Sequence, residues 1–296
     1  MCCPIRAKIF FELEVVGKGN DAMQLSVSVR IIESSCKTKL NLPMDRFLKA
    51  VSDSGAAAVC MRASAAGVKS YSEYRVGLCQ SIEDAGLVVS MVTADSDVPL
   101  NNDRGPMSLQ NIGPSLDVAE SLNCDLIRVC LKTKDDIKAA QQATDEAAER
   151  GIRLAHQLHT ATIFEEVDQI LSVLKKINRE NFGIIYEPAN LMVNGQSYAS
   201  DTVERLAPYI MNVYVQNHRL NPEGGDSLET YCRGEVRFDH LPLWDEGGVD
   251  FGEVFTALNK IGYDGYFTIH QAQGIRTPED AAKYINRCQE FVAQYQ

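Results

Sequence analysis

The chain has 296 residues, 45% hydrophobic and 23% charged, with 29 Lys and Arg against 40 Asp and Glu and a formal net charge of -11. That length fits two ordinary domains or one α/β barrel, which runs to about 250 residues as a unit, and the 20 Gly and 10 Pro exclude a collagen-like or low-complexity chain. The acidic balance disfavours a nucleic-acid binder, which needs a basic stripe, while leaving room for a small anion held by a few local Arg or Lys.

The N-terminal stretch Met1 to Asp21 sets Arg6, Lys8, Glu12, Glu14 and Lys18 around Ile9-Phe10-Phe11. It lacks the long uncharged run of a signal peptide, so residues 1–22 are expected to be an extension outside the fold and residues 23–296 the folded domain. From Met23 onward, apolar runs alternate with amphipathic stretches. The first predicted strand, Gln24–Arg30, is followed by a helix over Pro43–Ser54. Ala56–Arg62 precedes a helix over Tyr71–Ala85, and Leu87–Thr93 one over Ser108–Leu122. Leu126–Leu131 precedes the Ala-rich Asp135–Arg150, and Ile152–His159 precedes Phe164–Lys176. Phe182–Glu187, Ile210–Gln216 and Tyr266–Gln271 are the last three strands, with helices over Phe251–Ile261 and Pro278–Gln294.

Most of the strands are rich in Val, Ile and Leu without strict alternation, as in sheets covered on both faces. Gly86, Gly151 and Gly262 stand at helix C-caps. Eight strand–helix units predict a single (β/α)8 barrel, an α/β TIM barrel. A doubly wound sheet is disfavoured, because no G-x-G-x-x-G follows a strand. The stretch His218–Gly248, with Tyr231, Phe238 and Trp244, is a long insertion between the seventh and eighth strands.

No apolar run reaches the roughly 18–20 residues of a membrane helix. The nine Cys form no C-x-x-C pair, which predicts a reduced, cytoplasmic protein.

In a barrel, chemistry gathers at the C-terminal ends of the strands. The fifth strand ends in His156-Gln157-Leu158-His159, the sixth in Glu187, the seventh in Gln216-Asn217-His218 and the eighth in His270. Gln157, Glu187, Gln216 and His270 come from four consecutive strands and can meet at one point. Three oxygen donors and an imidazole suit a divalent ion such as Mn, Co or Zn better than Mg. His159, on the same side as Gln157, is expected to be the base, with His270 as the competing catalytic group. Arg30, Arg62 and Lys132 stand at or beyond strand ends, where they bind a substrate phosphate or carboxylate or else pair with rim carboxylates. His218, Arg233 and Trp244 are further substrate-binding candidates, with Trp244 either stacking on a sugar face or anchoring the loop.

Several segments resemble the xylose isomerase-like TIM barrels, the group of sugar phosphate isomerases and epimerases. They are Glu246-Gly-Gly-Val-Asp-Phe-Gly-Glu-Val-Phe with Ile261-Gly-Tyr-Asp-Gly-Tyr-Phe-Thr-Ile-His270, then Tyr186-Glu187-Pro188-Ala189-Asn190-Leu191, and Tyr214-Val215-Gln216. The resemblance covers Met23 to the C-terminus. It implies four metal ligands on strands five to eight, usually Glu, Asp, His or Gln, and Glu. The matching positions here are Gln157, Glu187, Gln216 and His270, so both catalytic Glu positions are replaced.

The resemblance implies a metal-dependent sugar or keto-sugar isomerase or epimerase, moving a proton next to a carbonyl through an enediolate. The alternatives are a lyase of the same barrel group acting on 3-keto-glycosides, and a non-catalytic sugar-binding barrel that has lost its metal. The expected partner is a small sugar or keto-sugar rather than nucleic acid or membrane, with a homo-oligomer left open.

Overall fold

A computed structural model describes residues 23–94 and 102–295. The N-terminal extension expected over residues 1–22 lies outside the described residues. Eight parallel strands close into a barrel in the order β1-β11-β7-β6-β5-β4-β3-β2. They are β1 (Gln24–Ser28), β2 (Ala58–Met61), β3 (Val88–Thr93), β4 (Leu126–Val129), β5 (Arg153–Gln157), β6 (Phe182–Tyr186), β7 (Ile210–Val215) and β11 (Tyr266–Ile269). Each lies inside one of the runs expected from sequence. Two ends differ in a way that matters for the site. Val29–Ile32 winds into a 3-10 turn, so Arg30 leaves β1, and His159 stands two residues beyond β5.

Alternation along the strands sends successive side chains to opposite faces. Val27, Val59, Ile127, Leu154, Ile184, Val213 and Ile269 join the core between sheet and helices. Cys60, Met91, Leu126, Ala155, Ile185 and Tyr214 form a separate plug inside the barrel. Polar residues within the barrel satisfy one another: Ser26 Oγ lies 2.7 Å from Ser90 Oγ, and Thr268 donates to Asn212 Oδ1 at 2.9 Å.

The helices are α1 (Met44–Asp53), α2 (Ser72–Asp84), α3 (Met107–Gln110), α4 (Gly113–Ser121), α5 (Asp136–Ala148), α6 (Val167–Ile177), α7 (Pro188–Val193), α8 (Ser200–Leu206), α9 (Phe251–Lys260) and α10 (Pro278–Val292). The single helix expected over Ser108–Leu122 is two, α3 and α4. In a continuous helix the Pro114 ring would clash with the Gln110 carbonyl, and the chain breaks at Asn111 (φ -148°, ψ 77°). Helices α7 and α8 were not expected from the periodicity, being only 6 and 7 residues long. The three expected C-cap glycines have φ of 73°, 69° and 69°. Among the described residues no helix is long and apolar enough to cross a membrane.

Between β7 and α9 the chain forms a three-stranded antiparallel sheet of β8 (Asn217–Leu220), β9 (Asp226–Thr230) and β10 (Gly234–Leu241). Two anchors fix it to the barrel mouth. Glu165 Oε1 accepts backbone N–H bonds from Ala161 (2.5 Å) and Tyr231 (2.8 Å), and Oε2 accepts one from Cys232 (2.9 Å). Asn217 donates to Pro242 O at 3.1 Å and accepts from Val249 N at 2.8 Å. The second anchor explains the Gly-Gly-Val-Asp-Phe segment. A Cβ on Gly248 would stand 2.3 Å from Asn217 Oδ1 and 2.5 Å from His218 O. Two residues on, Asp250 caps α9 through the Glu253 N–H at 3.0 Å, and Phe251 is buried.

Candidate active site at the barrel mouth

Each residue of the mouth follows by two positions a residue of the barrel interior, so it keeps the inward direction one layer higher. Ala155 leads to Gln157, Ile185 to Glu187, Tyr214 to Gln216, Leu126 to Arg128, Cys60 to Arg62, and Thr268 to His270. Glu187 also opens α7, with Pro188 in the first turn. There Pro lacks only an N–H that would be unpaired in any case.

Three of the four residues expected to converge are in direct contact. Gln157 donates Nε2–H to Glu187 Oε2, and Gln216 donates Nε2–H to Glu187 Oε1. Asn190, one turn into α7, donates to Glu187 Oε2 at 2.9 Å and to Leu158 O at 2.8 Å. Glu187 is completely buried behind these three amides, which themselves line a cavity of about 240 Å³. His270 lines the same cavity, stacked on Tyr214 at 4.0 Å between ring centroids. Its Nδ1 is buried without a hydrogen-bond partner. His159 and His218 line it too, and His240 joins them from β10, with Nε2 3.0 Å from Gln271 Nε2. His156 faces away, stacked on Phe164 at 4.0 Å and bonded through Nε2 to Leu131 O at 3.2 Å.

Four cations line the cavity: Arg30, Lys37, Arg62 and Arg128. Glu33 accepts from Arg62 at 2.8 Å and lies 3.7 Å from Arg30. The Arg128 guanidinium lies 6.0 Å from the centroid of the Tyr214 ring. It is only 5% exposed, and its Nε has no hydrogen-bond partner.

This environment sets the proton affinities. Burial pushes the Glu187 carboxyl up to about 8, and the Gln157 bond, the Arg128 charge and the Gln216 bond offset only part of that. Burial, then the Arg128 charge, pulls His159 down to about 3. His218 falls to about 3 through burial and the neighbouring His240. His270 is pulled well below the usual imidazole range by burial, then by Arg128, Arg62, Arg30 and Lys37.

Three expected substrate contacts lie elsewhere. Lys132 turns its ammonium onto Ala161 O at 3.0 Å, tying the loops after β4 and β5 together. Arg233 donates to Val193 O at 2.9 Å, bracing the turn after β9 against α7. Trp244 packs on Tyr284 at 5.3 Å and under Arg287 at 5.6 Å, against α10 on the outside of the barrel. Each is drawn away by a local partner that a linear sequence does not display. Conversely, Arg128, Lys37, Asn190 and His240 belong to the cavity and were not among the expected site residues. Arg128 left a readable sign: a lone charge in the apolar run Leu126-Ile127-Arg128-Val129.

The family model described as xylose isomerase-like TIM barrel matches residues 48–288. The chain belongs to that family. An inosose dehydratase of Geobacillus thermodenitrificans is 22% identical over 130 residues, 44% of this chain and 43% of that protein. The chain thus matches less than half the length of this curated relative. Among solved structures, a xylose isomerase domain protein from Planctomyces limnophilus superposes with a TM-score of 0.70 at 16% identity, covering 93% of this chain and 97% of that one. A xylose isomerase-like TIM barrel protein from Mycobacterium smegmatis in complex with magnesium gives 0.66 at 13% identity, covering 92% and 97%. A D-allulose 3-epimerase from Methylomonas sp. gives 0.65 at 13% identity, covering 93% and 98%. At these identities the likeness is one of fold.

The donor set of this xylose isomerase-like barrel does not fit a divalent ion as it is arranged. Both Glu187 oxygens are occupied by amide N–H groups, and the two Gln side chains would present oxygen only after a half-turn. Glu187, the one carboxylate of the expected set, stands behind the cavity wall, and four cations line the cavity itself. Among the described residues, no three His, Cys, Asp or Glu side chains are grouped so as to hold a metal ion.

Proposed function

We propose that the protein is an enzyme that moves a proton at a carbon next to a carbonyl of a small polyhydroxylated compound. The observation that carries this reading is the gathering of His159, His218, His240 and His270 on one small cavity. These are neutral imidazoles at neutral pH, set among groups that stabilise negative oxygen. His270 is the proton acceptor, because its ring lines the cavity stacked on Tyr214 and no protein group bonds its Nδ1. The C–H bond breaks, its electron pair becomes the C=C bond of an enediolate, and the oxygen gains negative charge. Arg128 and Arg62 stabilise that charge. The His270 imidazolium so formed returns that proton, to carbon or to the leaving hydroxyl.

Protonation at carbon gives an isomer or epimer. Loss of a β-hydroxyl as water gives a dehydration product, the lyase outcome suggested by the relative named inosose dehydratase. Glu187 does not line the cavity; it fixes the two Gln amides and Asn190. A metal-dependent form of the same reaction is a second reading, favoured by the magnesium complex of the Mycobacterium smegmatis barrel. It requires Gln157 and Gln216 both to turn their oxygens inward.

The test is a panel of sugars, keto-sugars and their acids with the purified chain, products being identified by NMR. An epimer or isomer supports the isomerase, an unsaturated or dehydrated product the lyase. His270→Asn is expected to lower either rate by about 100-fold or more. Full activity in His270→Asn would remove it from the mechanism.

A further inference from the structure

The charge of the cavity names the ligand more closely than the imidazoles do. Arg128 is a buried guanidinium, and among the described residues no carboxylate lies within ion-pair distance of it. A buried charge left unpaired is costly. Glu33 pairs with the other two guanidiniums: its Oε1 accepts from Arg62 at 2.8 Å and from the Ser64 hydroxyl at 2.5 Å, and its Oε2, which accepts no hydrogen bond, lies 3.7 Å from Arg30. Asp226, the carboxylate that lines the cavity, is 3.8 Å from His240.

Lys37 is brought over the cavity by an unusual backbone. Its φ of 58° is left-handed, uncommon outside Gly, Asn and Asp. The loop is closed by Lys37 N to Ser34 O and Ser34 N to Lys39 O, each 2.9 Å. Burial, then the charges of Arg30, Arg62 and Arg128, pushes the Lys37 ammonium down to about 8. The fold thus holds four mutually repelling cations around a space too small for most cofactors.

We propose that this cavity binds a small oxyanion, a carboxylate or a phosphate, on Arg128, Arg62, Arg30 and Lys37, and that the substrate carries this group. Guanidinium forks match the paired oxygens of such a group. Its charge would relieve the repulsion among the four cations, and it would occupy the barrel mouth that Gln157, Gln216 and His270 also line. The substrate part of the proposal rests on the proton-transfer reading; the anion part rests on geometry alone.

The test is calorimetric titration of the full-length chain, in chelator and at roughly physiological ionic strength, with inorganic phosphate and separately with D-glucuronate. Binding of either is expected in the wild type and in Lys132→Met, whose lysine lies outside the cavity. The probe that binds distinguishes phosphate from carboxylate. Arg128→Met is expected to weaken binding about tenfold or more, equivalent to about 1.4 kcal/mol. Lys37→Met, on a surface loop, gives the same reading if Arg128→Met does not fold. Absence of heat with both probes, or unchanged affinity in Arg128→Met and Lys37→Met, overturns the proposal. Because no turnover is needed, binding without chemistry would count against the proton-transfer reading alone, and chemistry on neutral sugars without anion binding against the anion alone.

Discussion

Gln157 donates its amide N–H to Glu187 and leaves its own Oε1 buried without a partner. The pair is therefore ready for a neutral carboxyl: if Glu187 takes up a proton, a turned Gln157 can accept it. The raised proton affinity of Glu187, about 8 against an ordinary 4.5, has a stability consequence. Between those values the folded chain binds a proton that the unfolded chain has lost, so stability falls as pH rises from about 4.5 to 8. Glu187→Gln removes this slope. It is expected to fold and to melt higher than wild type above pH 8, with about 2–4 °C for each kcal/mol recovered. Thermal melts at pH 6 and pH 9 check this.

The histidines impose the opposite slope on the acid side. His156, His159 and His218 are held near 3, and His270 well below 6.5. The unfolded chain takes up these protons below about pH 6.5 while the folded chain does not, so stability falls as pH drops from about 6.5 towards 3. Over pH 4.5–6.5 several imidazoles outweigh one carboxyl, so melting temperature should decline on acidification from neutral pH. Replacing His218 by Gln is expected to make that decline shallower.

Glu165 is a clamp between the loop after β5 and the β9–β10 turn. Glu165→Ala strands three backbone N–H groups, those of Ala161, Tyr231 and Cys232. A buried donor left unsatisfied costs about 1–3 kcal/mol, although solvent reaches the exposed Tyr231 and Cys232 and reduces their share. Hydrogen exchange should quicken at Tyr231 and Cys232 and remain slow in β5 and β6.

Gly248→Ala tests the packing reason for the Gly-Gly-Val-Asp-Phe segment. The added methyl meets Asn217 Oδ1 and the His218 carbonyl, groups that cannot move without releasing the Val249 N–H. A loss of about 1–3 kcal/mol is expected, measured by denaturant unfolding. Gly225→Ala, where a Cβ meets nothing within 4 Å, should be nearly neutral.

The barrel was legible because its eight strands are apolar runs spaced by amphipathic helices, and because Gly86, Gly151 and Gly262 mark helix ends. The meeting of Gln157, Glu187 and Gln216 was legible from strand-end position alone, since period-two alternation fixes their direction. What alternation cannot show is which way an amide turns: the Gln side chains serve the Glu187 carboxylate with N–H rather than presenting oxygen. The partners of Lys132 and Arg233 were not legible, because a long flexible side chain can bond a backbone carbonyl of another loop, here Ala161 O and Val193 O; Trp244 packs on Tyr284, the loop-anchoring one of its two expected roles. The basic cavity was hidden by the net charge of -11, which averages over a surface and says nothing of one pocket. Arg30 and Arg62 were visible at strand ends, whereas Lys37 depends on a left-handed turn that composition does not signal.

The central claim is that imidazoles, in a cavity whose donors do not suit a dication, move a proton at carbon. Its most direct measurement is hydrogen exchange in D2O, following by NMR the C–H next to the carbonyl of keto-sugars and keto-sugar acids, with and without chelator. The account predicts exchange that is unchanged by chelator and lowered about 100-fold or more in His270→Asn. Exchange that stops with chelator and returns with manganese, cobalt or zinc would contradict it.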